Sequence, residues 1–348
     1  LAVLMVWVML ASIMPSVFSP TASVYAAEPA PEAEYSTDEG ASWTSSSFSA
    51  AVTALNGSTG GVIRLLSDVT LNTRVDIIKN TTIISGGGAR TIKPATNLTG
   101  YMLGVGSAAT LTLGSVNGMG EGNTLTIDGG AVWTGAEDST LKRGTNNEGI
   151  YIDKTLVWNY GTFNMYDGVI LQNNQSSSNG AAVKLGLLEA STNAIFNMYG
   201  GEIKNTSSRV DGGGVLSNSG TTFTMSGTAR ITGVNSDTAG GAVCARGSVI
   251  INGGTISGNK AGFGAVAIYS EGTLTINGGE ITGNKSNNDG AGIFIYNSAG
   301  ALKIQGNPVI KDNIKGTSTA SNIYITAPRI IQAEGTLTGA AGTIGITG

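Results

Sequence analysis

Apolar and polar positions alternate in short runs along most of this chain, and one phrase of that pattern returns again and again. An apolar–x–apolar triplet is followed by a glycine-rich turn and a single isoleucine, as between Leu274 and Ile281. Alternation with a period of two predicts a β-strand whose apolar residues share one face. Copies of the triplet begin at Leu125, Phe163, Phe196, Phe223, Val249, Leu274 and Leu302.

The triplets begin 25 to 38 residues apart, a repeat length typical of solenoids, whose units bury their apolar faces against their neighbours. A variable polar loop follows the isoleucine and leads to a third, Gly- and Ala-rich strand such as Gly241-Ala242-Val243. We therefore expect an all-β fold, a right-handed parallel β-helix with three strands per coil and about ten coils.

Asparagine recurs three residues after the isoleucine of the second strand. Asparagine side chains that stack from coil to coil bond to one another along the axis and satisfy buried polar groups at a corner. We expect such a structural ladder from Asn173, Asn259, Asn284 and Asn313.

One segment ahead of the first coil has helical periodicity. Phe48, Ala51, Val52 and Leu55 fall at i, i+3, i+4 and i+7, and Ser47 is a suitable N-cap. A short amphipathic helix here would cover the open end of the solenoid, where strand edges and core would otherwise meet water.

The first residues have the composition of a secretory signal. The stretch is apolar and uncharged, ends in small residues near Ala26, and is interrupted by Pro15 and Pro20, which disfavours a transmembrane span. No methionine precedes Leu1, so we expect the start of the chain to be missing. The predicted organisation is signal peptide 1–26, Pro/Glu-rich linker 27–40, cap helix and irregular first coils 41–123, regular repeats 124–330 and a strand-like tail 331–348.

The amino-acid composition excludes several kinds of catalytic and metal site. The chain has no His, which excludes His-based triads, His metal ligands and imidazole acid–base catalysis. Its single Cys, Cys244, cannot form an internal disulfide, and we interpret it as a packed side chain. Net charge is -4 without a Lys/Arg block, so we expect no nucleic-acid partner.

Two nearly identical phrases, GGTISGN at 253–259 and GGEITGN at 278–284, together with Phe-x-Met triplets at Phe196 and Phe223, carry a family resemblance. Over about residues 40–330 the chain resembles the pectin-lyase-like right-handed β-helix superfamily, and within it the repeat-rich, adhesin-like surface proteins of Gram-positive bacteria. The resemblance implies the fold. It does not indicate which activity the chain has, because this superfamily includes lyases, glycosidases and adhesins.

Aromatic residues concentrate in the early repeats. Tyr166 and Tyr199 occupy the same repeat position, and Trp158 lies close by in sequence. Exposed aromatic rings stack on sugar rings, so these three residues are candidates for carbohydrate binding. The alternative interpretation is that the rings stack on one another as part of the scaffold.

Acidic residues stand near the turn into the third strand. Calcium-dependent lyases of the resembled superfamily use clustered carboxylates, and a weak calcium site would involve Asp211, Asp237 and Asp289. The alternative is turn chemistry, because Asp is favoured in turns and calcium requires six or more oxygens together. We assign no catalytic residue and expect no cofactor, with calcium as the alternative.

The combined expectation is an exported protein, extracellular or associated with the cell surface or cell wall, with a structural or adhesive role and no enzymatic activity. Its partners would be cell-wall or host glycans or surface proteins, and its mature chain would have no transmembrane span. The alternative is a divergent polysaccharide lyase, a glycoside hydrolase or a non-catalytic carbohydrate-binding module.

Overall fold

The structure is a computed structural model. It describes residues 30–96, 98–134, 143–145, 155–187, 192–269, 271–296, 300–326, 331–339 and 344–346, with the backbone alone at 132–134 and 143–145. The chain divides into a unit Leu1–Ala30 and a compact unit Pro31–Gly348. The predicted signal peptide, 1–26, lies outside the described residues.

The compact unit is a parallel β-helix, as the repeat predicts. Its first wall, sheet A, has ten parallel strands, each paired with its equivalent in the next coil, and two antiparallel strands at one edge. In pairing order the strands are β2 (Thr44–Ser46), β1 (Ala33–Ser36), β3 (Gly60–Leu65), β6 (Asn80–Ser85), β9 (Thr110–Leu113), β14 (Thr162–Met165), β17 (Ile195–Met198), β20 (Thr222–Met225), β24 (Ser248–Ile251), β28 (Thr273–Ile276), β32 (Leu302–Gly306) and β37 (Ile331–Leu337).

Sheet B follows sheet A in each coil. Its strands are β4 (Val69–Leu71), β7 (Ala89–Pro94), β10 (Thr124–Asp128), β15 (Val169–Ser176), β18 (Glu202–Ser208), β21 (Arg230–Thr232), β22 (Asn235–Ala239), β25 (Thr255–Ser257), β26 (Lys260–Phe263), β29 (Glu280–Thr282), β30 (Lys285–Ser286), β33 (Val309–Lys311), β34 (Ile314–Lys315) and β35 (Thr319–Ala320).

Sheet C closes each coil. Its nine strands, all parallel, are β5 (Val75–Ile77), β8 (Leu103–Val105), β13 (Val157–Asn159), β16 (Val183–Leu185), β19 (Val215–Ser217), β23 (Val243–Ala245), β27 (Val266–Ile268), β31 (Ile293–Ile295) and β36 (Ile323–Ile325). Two further strands, β11 (Val132–Thr134) and β12 (Arg143–Thr145), form a separate antiparallel pair.

Identical inward positions stack on one another through the interior. The triplet residues pair coil to coil, so Phe163, Phe196 and Phe223 lie in register and are fully buried. Their rings stack with centroids 4.6 Å and 5.0 Å apart. This spacing equals the distance between paired strands of about 4.8 Å, so hydrogen bonding and aromatic packing are satisfied by the same repeat.

The predicted cap helix is α1 (Phe48–Asn56). The Ser47 hydroxyl accepts a hydrogen bond from the Ala50 N–H, and the four apolar residues of the i, i+3, i+4, i+7 face are buried. The helix packs against β1, β3 and β5 at the first coil. Its apolar face therefore covers the end of the core.

Two expectations need correction. The segment 27–40 is not only a linker, because it contains β1, which pairs with β2 and β3, and Ala33 is fully buried. The strand-like alternation of Ala33 and Tyr35 is not evident in the sequence, because Pro and Glu residues surround it. Sheet B also departs from three strands per coil, since in the later coils it breaks into two short strands.

The break in sheet B marks a corner lined by asparagines. The Nδ2 group of Asn259 donates to Asn284 Oδ1 (3.0 Å), and Asn284 Nδ2 donates to Asn313 Oδ1 (2.8 Å). Asn313 donates in turn to Asn322 Oδ1 (3.0 Å). Each Nδ2 also donates to a backbone carbonyl of the previous coil, those of Ile231, Ile256 and Ile281. Asn259, Asn284 and Asn313 have no exposed surface, so the ladder satisfies their polar groups internally.

Asn173 does not belong to this ladder. The inward residue of its coil is Leu171, which pairs with Ile203, so the ladder position is Asn174, fully buried. Asn173 supplies instead the left-handed residue that precedes the ladder position, with φ of 52°, a conformation that Asn tolerates. The equivalent left-handed residues of the later coils are Asn205, Gly233, Gly258, Gly283 and Asp312.

The stacking register predicts opposite effects for two neighbouring residues. Ile276 is fully buried between Ile251 and Ile304, whereas Thr275 points outward. We expect Ile276→Asp to lower the free energy of unfolding by more than about 3 kcal/mol, since it removes apolar burial and buries a charge. Thr275→Asp should change it by less than about 0.5 kcal/mol. Urea denaturation measures both, and equal midpoints for the two variants would mean that the register is wrong.

The ladder gives a second stability test. Asn284→Ala removes the acceptor of the Asn259 N–H and Nδ2 groups and should cost about 1–3 kcal/mol, the penalty of unsatisfied buried groups. Asn277 of the same coil makes a similar amide contact with Asn252 (2.7 Å) at an exposed corner. Water can replace that contact, so Asn277→Ala should leave the thermal midpoint nearly unchanged. Equal losses would show that burial is not what makes the ladder stabilising.

Candidate ligand-binding face

The outer side of sheet C carries an unusual set of side chains. In each strand the first and third residues face the core, and the middle residue faces away from it. Along successive strands the outward residues are Trp158, Lys184, Leu216, Cys244, Ala267, Phe294 and Tyr324. Several of them are buried yet lie outside the hydrophobic core cluster. We call this surface the sheet C face.

The turns that enter sheet C fold back against this face and form one of its walls. Gly212 illustrates the turn: its φ is 67°, and a Cβ there would lie 2.8 Å from the Val215 carbonyl and 3.0 Å from the Leu216 Cβ. Only glycine fits so close to the strand. The preceding residue, Asp211, is thereby held at the edge of the sheet C face.

The first aromatic group on the face consists of Tyr101, Trp158 and Tyr160. The Tyr101 and Trp158 rings meet edge to face with centroids 5.5 Å apart, and Trp158 and Tyr160 stack at 5.4 Å. The indole N–H donates to the Gly186 carbonyl (3.2 Å). The Lys184 Nζ atom lies 4.8 Å from the Trp158 ring centroid, a cation–π distance. These contacts together fix the position of the Trp158 ring.

A groove of about 250 Å³ opens beside these rings. Tyr101 and Trp158 supply its aromatic wall, and Ser178, Asn179 and Lys184 supply polar groups. Gly104 leaves room for the Tyr101 ring, because a Cβ there would lie 2.7 Å from it. The groove thus combines flat apolar surface with hydrogen-bonding groups, as small polyhydroxylated ligands require.

Tyr101 is anchored by an acidic neighbour. Its hydroxyl donates to Asp76 Oδ1 (2.5 Å), and the Arg74 guanidinium lies over the ring. Burial and the hydrogen bond to Asp76 raise the pKa of Tyr101 to about 12. The phenol therefore stays neutral at physiological pH and acts as a positioned ring and hydrogen-bond donor.

A buried ion pair crosses the middle of the face. Arg246 Nη2 lies 2.6 Å from Asp211 Oδ2, and the Asp211 side chain is only 6% exposed. The Asp211 N–H donates to Asn179 Oδ1 (3.0 Å), which links the pair to the groove. Two further atoms of the pair, Asp211 Oδ1 and Arg246 Nη1, are buried and have no hydrogen-bond partner among the described residues.

Burial sets the electrostatics of this region. It raises the pKa of Asp211, while the Arg246 charge opposes the rise. Burial, followed by the Asp211 charge, raises the pKa of the Cys244 thiol well above its usual range. Cys244 is thus a neutral, fully buried thiol, which fits the interpretation of a packed side chain rather than a nucleophile.

A second aromatic group lies farther along the same face. The Tyr269 and Tyr296 rings stack with centroids 5.1 Å apart, and Phe294 lies parallel to Tyr324 at 6.0 Å. The ring centroids of Phe263 and Phe294 lie 4.8 Å apart. Tyr296 is 41% exposed. Four strand spacings separate Trp158 on β13 from β27, which places the two groups about 19 Å apart along the axis.

The three predicted carbohydrate-binding residues do not come together. Tyr166 and Tyr199 stack at 5.0 Å, but they follow the end of the sheet A strands, at the corner leading to sheet B. Trp158 lies on β13 of sheet C, before β14 in the chain, and its side chain points outward from that sheet. The tyrosine pair is continued along its corner by Asn252, Asn277 and Gln305, whose amides bond to one another.

The three predicted calcium ligands are also kept apart. Asp289 Oδ1 lies 3.0 Å from Lys315 Nζ, and the Asp211 carboxylate forms an ion pair with the Arg246 guanidinium. Asp211 and Asp289 hold equivalent turn positions three strand spacings apart, about 14 Å. Asp237 belongs to β22, in the coil after Asp211. Within the described ranges no three His, Cys, Asp or Glu residues group as metal ligands.

Sequence reasoning missed most of the face. Tyr160, Tyr269 and Tyr296 each follow directly after a sheet C strand, so an apolar–x–(apolar or Asn)–Tyr pattern recurs in three coils. This periodic pattern could have been found in the sequence. The pairing of Asp211 with Arg246 could not, because the two residues belong to neighbouring coils and their contact depends on register.

Comparison of the chain with protein-family models, curated proteins and solved structures gives no match. The superfamily resemblance therefore rests on the motifs quoted above. In the part of the chain that the structure describes, no helix has the length and apolar character needed to cross a bilayer.

The buried ion pair yields a prediction. Arg246→Met leaves the Asp211 carboxylate buried without its cation, and we expect a loss of about 3–5 kcal/mol of unfolding free energy. The double variant Asp211→Leu/Arg246→Met should recover most of that loss. Urea denaturation of the two single variants and the double variant tests the coupling, and additive losses would contradict it.

The same variant has a predicted pH dependence. Without Arg246, burial raises the pKa of Asp211 and only a hydrogen bond with the Ala239 backbone opposes the rise, so the folded-state pKa lies above the usual value of 3.8. The folded chain then binds the proton more tightly than the unfolded chain, and the defect of Arg246→Met should shrink as pH falls through that folded pKa. A defect that is constant with pH would exclude Asp211 as its source.

Proposed function

We propose that this chain is an exported, non-enzymatic β-helix protein of the cell surface that acts as an adhesive scaffold and binds glycan on the sheet C face. The observation that carries the proposal is the groove beside Tyr101 and Trp158. Its rings are fixed by their neighbours, and its rim bears hydroxyl, amide and ammonium groups.

A sugar is the ligand that this chemistry fits best. A pyranose ring has apolar C–H faces that pack on an aromatic ring and hydroxyls at its edge that donate and accept hydrogen bonds. Trp158 offers the ring, while Asn179 and Lys184 border it. The face is not strongly charged, because Arg246 is matched by Asp211 and Arg74 lies 3.8 Å from Asp76. A neutral polysaccharide therefore fits better than a polyanion.

The second aromatic group supports a chain rather than a single sugar as ligand. Tyr269 and Tyr296 lie on the same face as Trp158, about 19 Å farther along the axis. An extended polysaccharide that runs along the axis would contact both groups. Two weak contacts on one polymer give stronger retention than either contact alone, which is what adhesion requires.

The sequence and the resemblance support the remaining parts of the proposal. The signal-like composition of residues 1–26 favours export, and the motifs at 253–259 and 278–284 resemble adhesin-like surface proteins of the pectin-lyase-like superfamily. The chain has no His, and the candidate carboxylates Asp211 and Asp289 each have a cationic partner. These facts favour binding without turnover over lyase or hydrolase activity.

Substitution on the face tests this function. We expect Trp158→Ala to weaken binding to an insoluble neutral polysaccharide at least about tenfold, equivalent to ~1.4 kcal/mol. Tyr296→Ala should weaken binding to the polymer but leave binding of a short oligosaccharide unchanged. Tyr199→Ala is the matched control, because it removes an equally exposed stacked tyrosine from another corner. Binding is measured by depletion from solution and by calorimetry.

Because Trp158 packs on Tyr101 and Tyr160, melting curves accompany each variant, and Lys184→Met serves as a second groove variant. Binding that is lost in Tyr199→Ala and kept in Trp158→Ala would move the site to the tyrosine corner and refute the proposal. Unsaturated products appearing in the same incubations, and disappearing with a chelator, would support the lyase alternative.

A further inference from the structure

Asn179 is a polar side chain of the groove beside Tyr101 and Trp158, and the stacking of the coils holds it in place. It lies in the turn that enters sheet C, directly before Gly180, and it lines the groove. Two hydrogen bonds tie this turn to the next coil. The Gly180 N–H donates to the Asp211 carbonyl (2.9 Å), and the Asp211 N–H donates to Asn179 Oδ1 (3.0 Å).

The contact with Asp211 also determines which end of the Asn179 amide remains for a ligand. An amide side chain has one acceptor oxygen and one NH2 group with two donors. Because the oxygen accepts the Asp211 N–H, the Nδ2 group is the end left over, and it makes no hydrogen bond with any described residue. At this position the groove therefore offers a hydrogen-bond donor rather than an acceptor.

The other groups around the groove do not compete for this donor. The described residues that line the groove include no carboxylate, and the neighbouring Asp211 carboxylate pairs with Arg246 at 2.6 Å. The Ser176 and Ser178 hydroxyls lie 3.4 Å apart, within hydrogen-bonding distance of each other. A ligand satisfies the free donor only if it brings an acceptor, placed next to an apolar part that packs on the aromatic wall.

We infer that the groove is a subsite for the acetamido group of an N-acetylated amino sugar. This inference rests on the proposed function, because it names the kind of glycan that the sheet C face binds. The acetamido carbonyl accepts from Asn179 Nδ2 and the acetamido methyl packs on the aromatic wall, so one substituent satisfies both parts of the groove. A glucose unit has only a hydroxyl at that place. A deacetylated amino sugar has an ammonium, which would meet the Lys184 ammonium at the border of the groove.

Oligosaccharides that differ in one substituent test the inference on the wild-type chain. Oligomers of N-acetylglucosamine and of glucose with the same linkage and length differ only in the acetamido group, so calorimetry isolates its contribution. We expect the acetamido oligomer to bind about tenfold more tightly, the effect of one well-placed hydrogen bond. Deacetylated oligomers should bind no better than glucose oligomers. This comparison does not depend on the stability of any variant.

Asn179→Asp tests the donor separately from the acceptor. The substitution keeps the oxygen that accepts the Asp211 N–H but removes the Nδ2 donor, so we expect the preference for the acetamido oligomer to disappear. Asn80→Asp is the matched control, because Asn80 Oδ1 accepts the Thr110 N–H of the next coil (3.0 Å) in the same way, but on sheet A. The control should keep the wild-type preference, and melting curves of both variants verify that they are folded.

The outcomes distinguish this inference from the proposed function. A wild-type chain that binds none of these glycans would refute the proposed function and the inference with it. Equal binding of the acetamido and glucose oligomers would overturn the inference alone and leave glycan binding intact. Tighter binding of a galacturonate oligomer would also overturn it, since the acceptor would then be a carboxylate. A preference that survives in Asn179→Asp would exclude Asn179 as its source and contradict the inferred contact.

Discussion

The hydrogen-bonded stacking of each coil on the next, in a fixed register, is the constraint on which the structure depends. Because paired strands repeat at about 4.8 Å, any residue type that returns at the same repeat position becomes a continuous column. Inside, this gives the phenylalanine stack and the asparagine ladder. Outside, it gives rows of tyrosines and amides. Repeat positions therefore determine which side chains lie together on the outer surface.

The same constraint fixes the positions of the side chains on the sheet C face. The residues that carry it lie on strands whose other side is the core, so Trp158 cannot move without disturbing Val157 and Asn159. The glycine turns press against the strands and hold Asp211 over the sheet. A ligand would meet a surface that is already in place, and little conformational entropy would be lost on binding.

Sequence patterning predicts the fold because period-two alternation and the repeat length are local signals. The helix at Phe48 and the inward triplets belong to this class. It predicts the ladder only where the register is regular: at Asn173 the inward residue shifts from Ile170 to Leu171, and the assignment slips by one residue. It misses the sheet C face because the stacking of coils brings together residues that are far apart in sequence, Asp211 with Arg246 and Tyr101 with Trp158.

The central claim is that outward columns on sheet C form the surface that contacts glycan. Hydrogen exchange with and without a saturating neutral polysaccharide tests it most directly, since it reports on every strand at once. We expect added protection in peptides that cover β13 and β16, extending to β27 and β31 for a long polysaccharide, with sheet A unchanged. Protection confined to the Tyr166 and Tyr199 corner, or no added protection while binding is saturated, would contradict it.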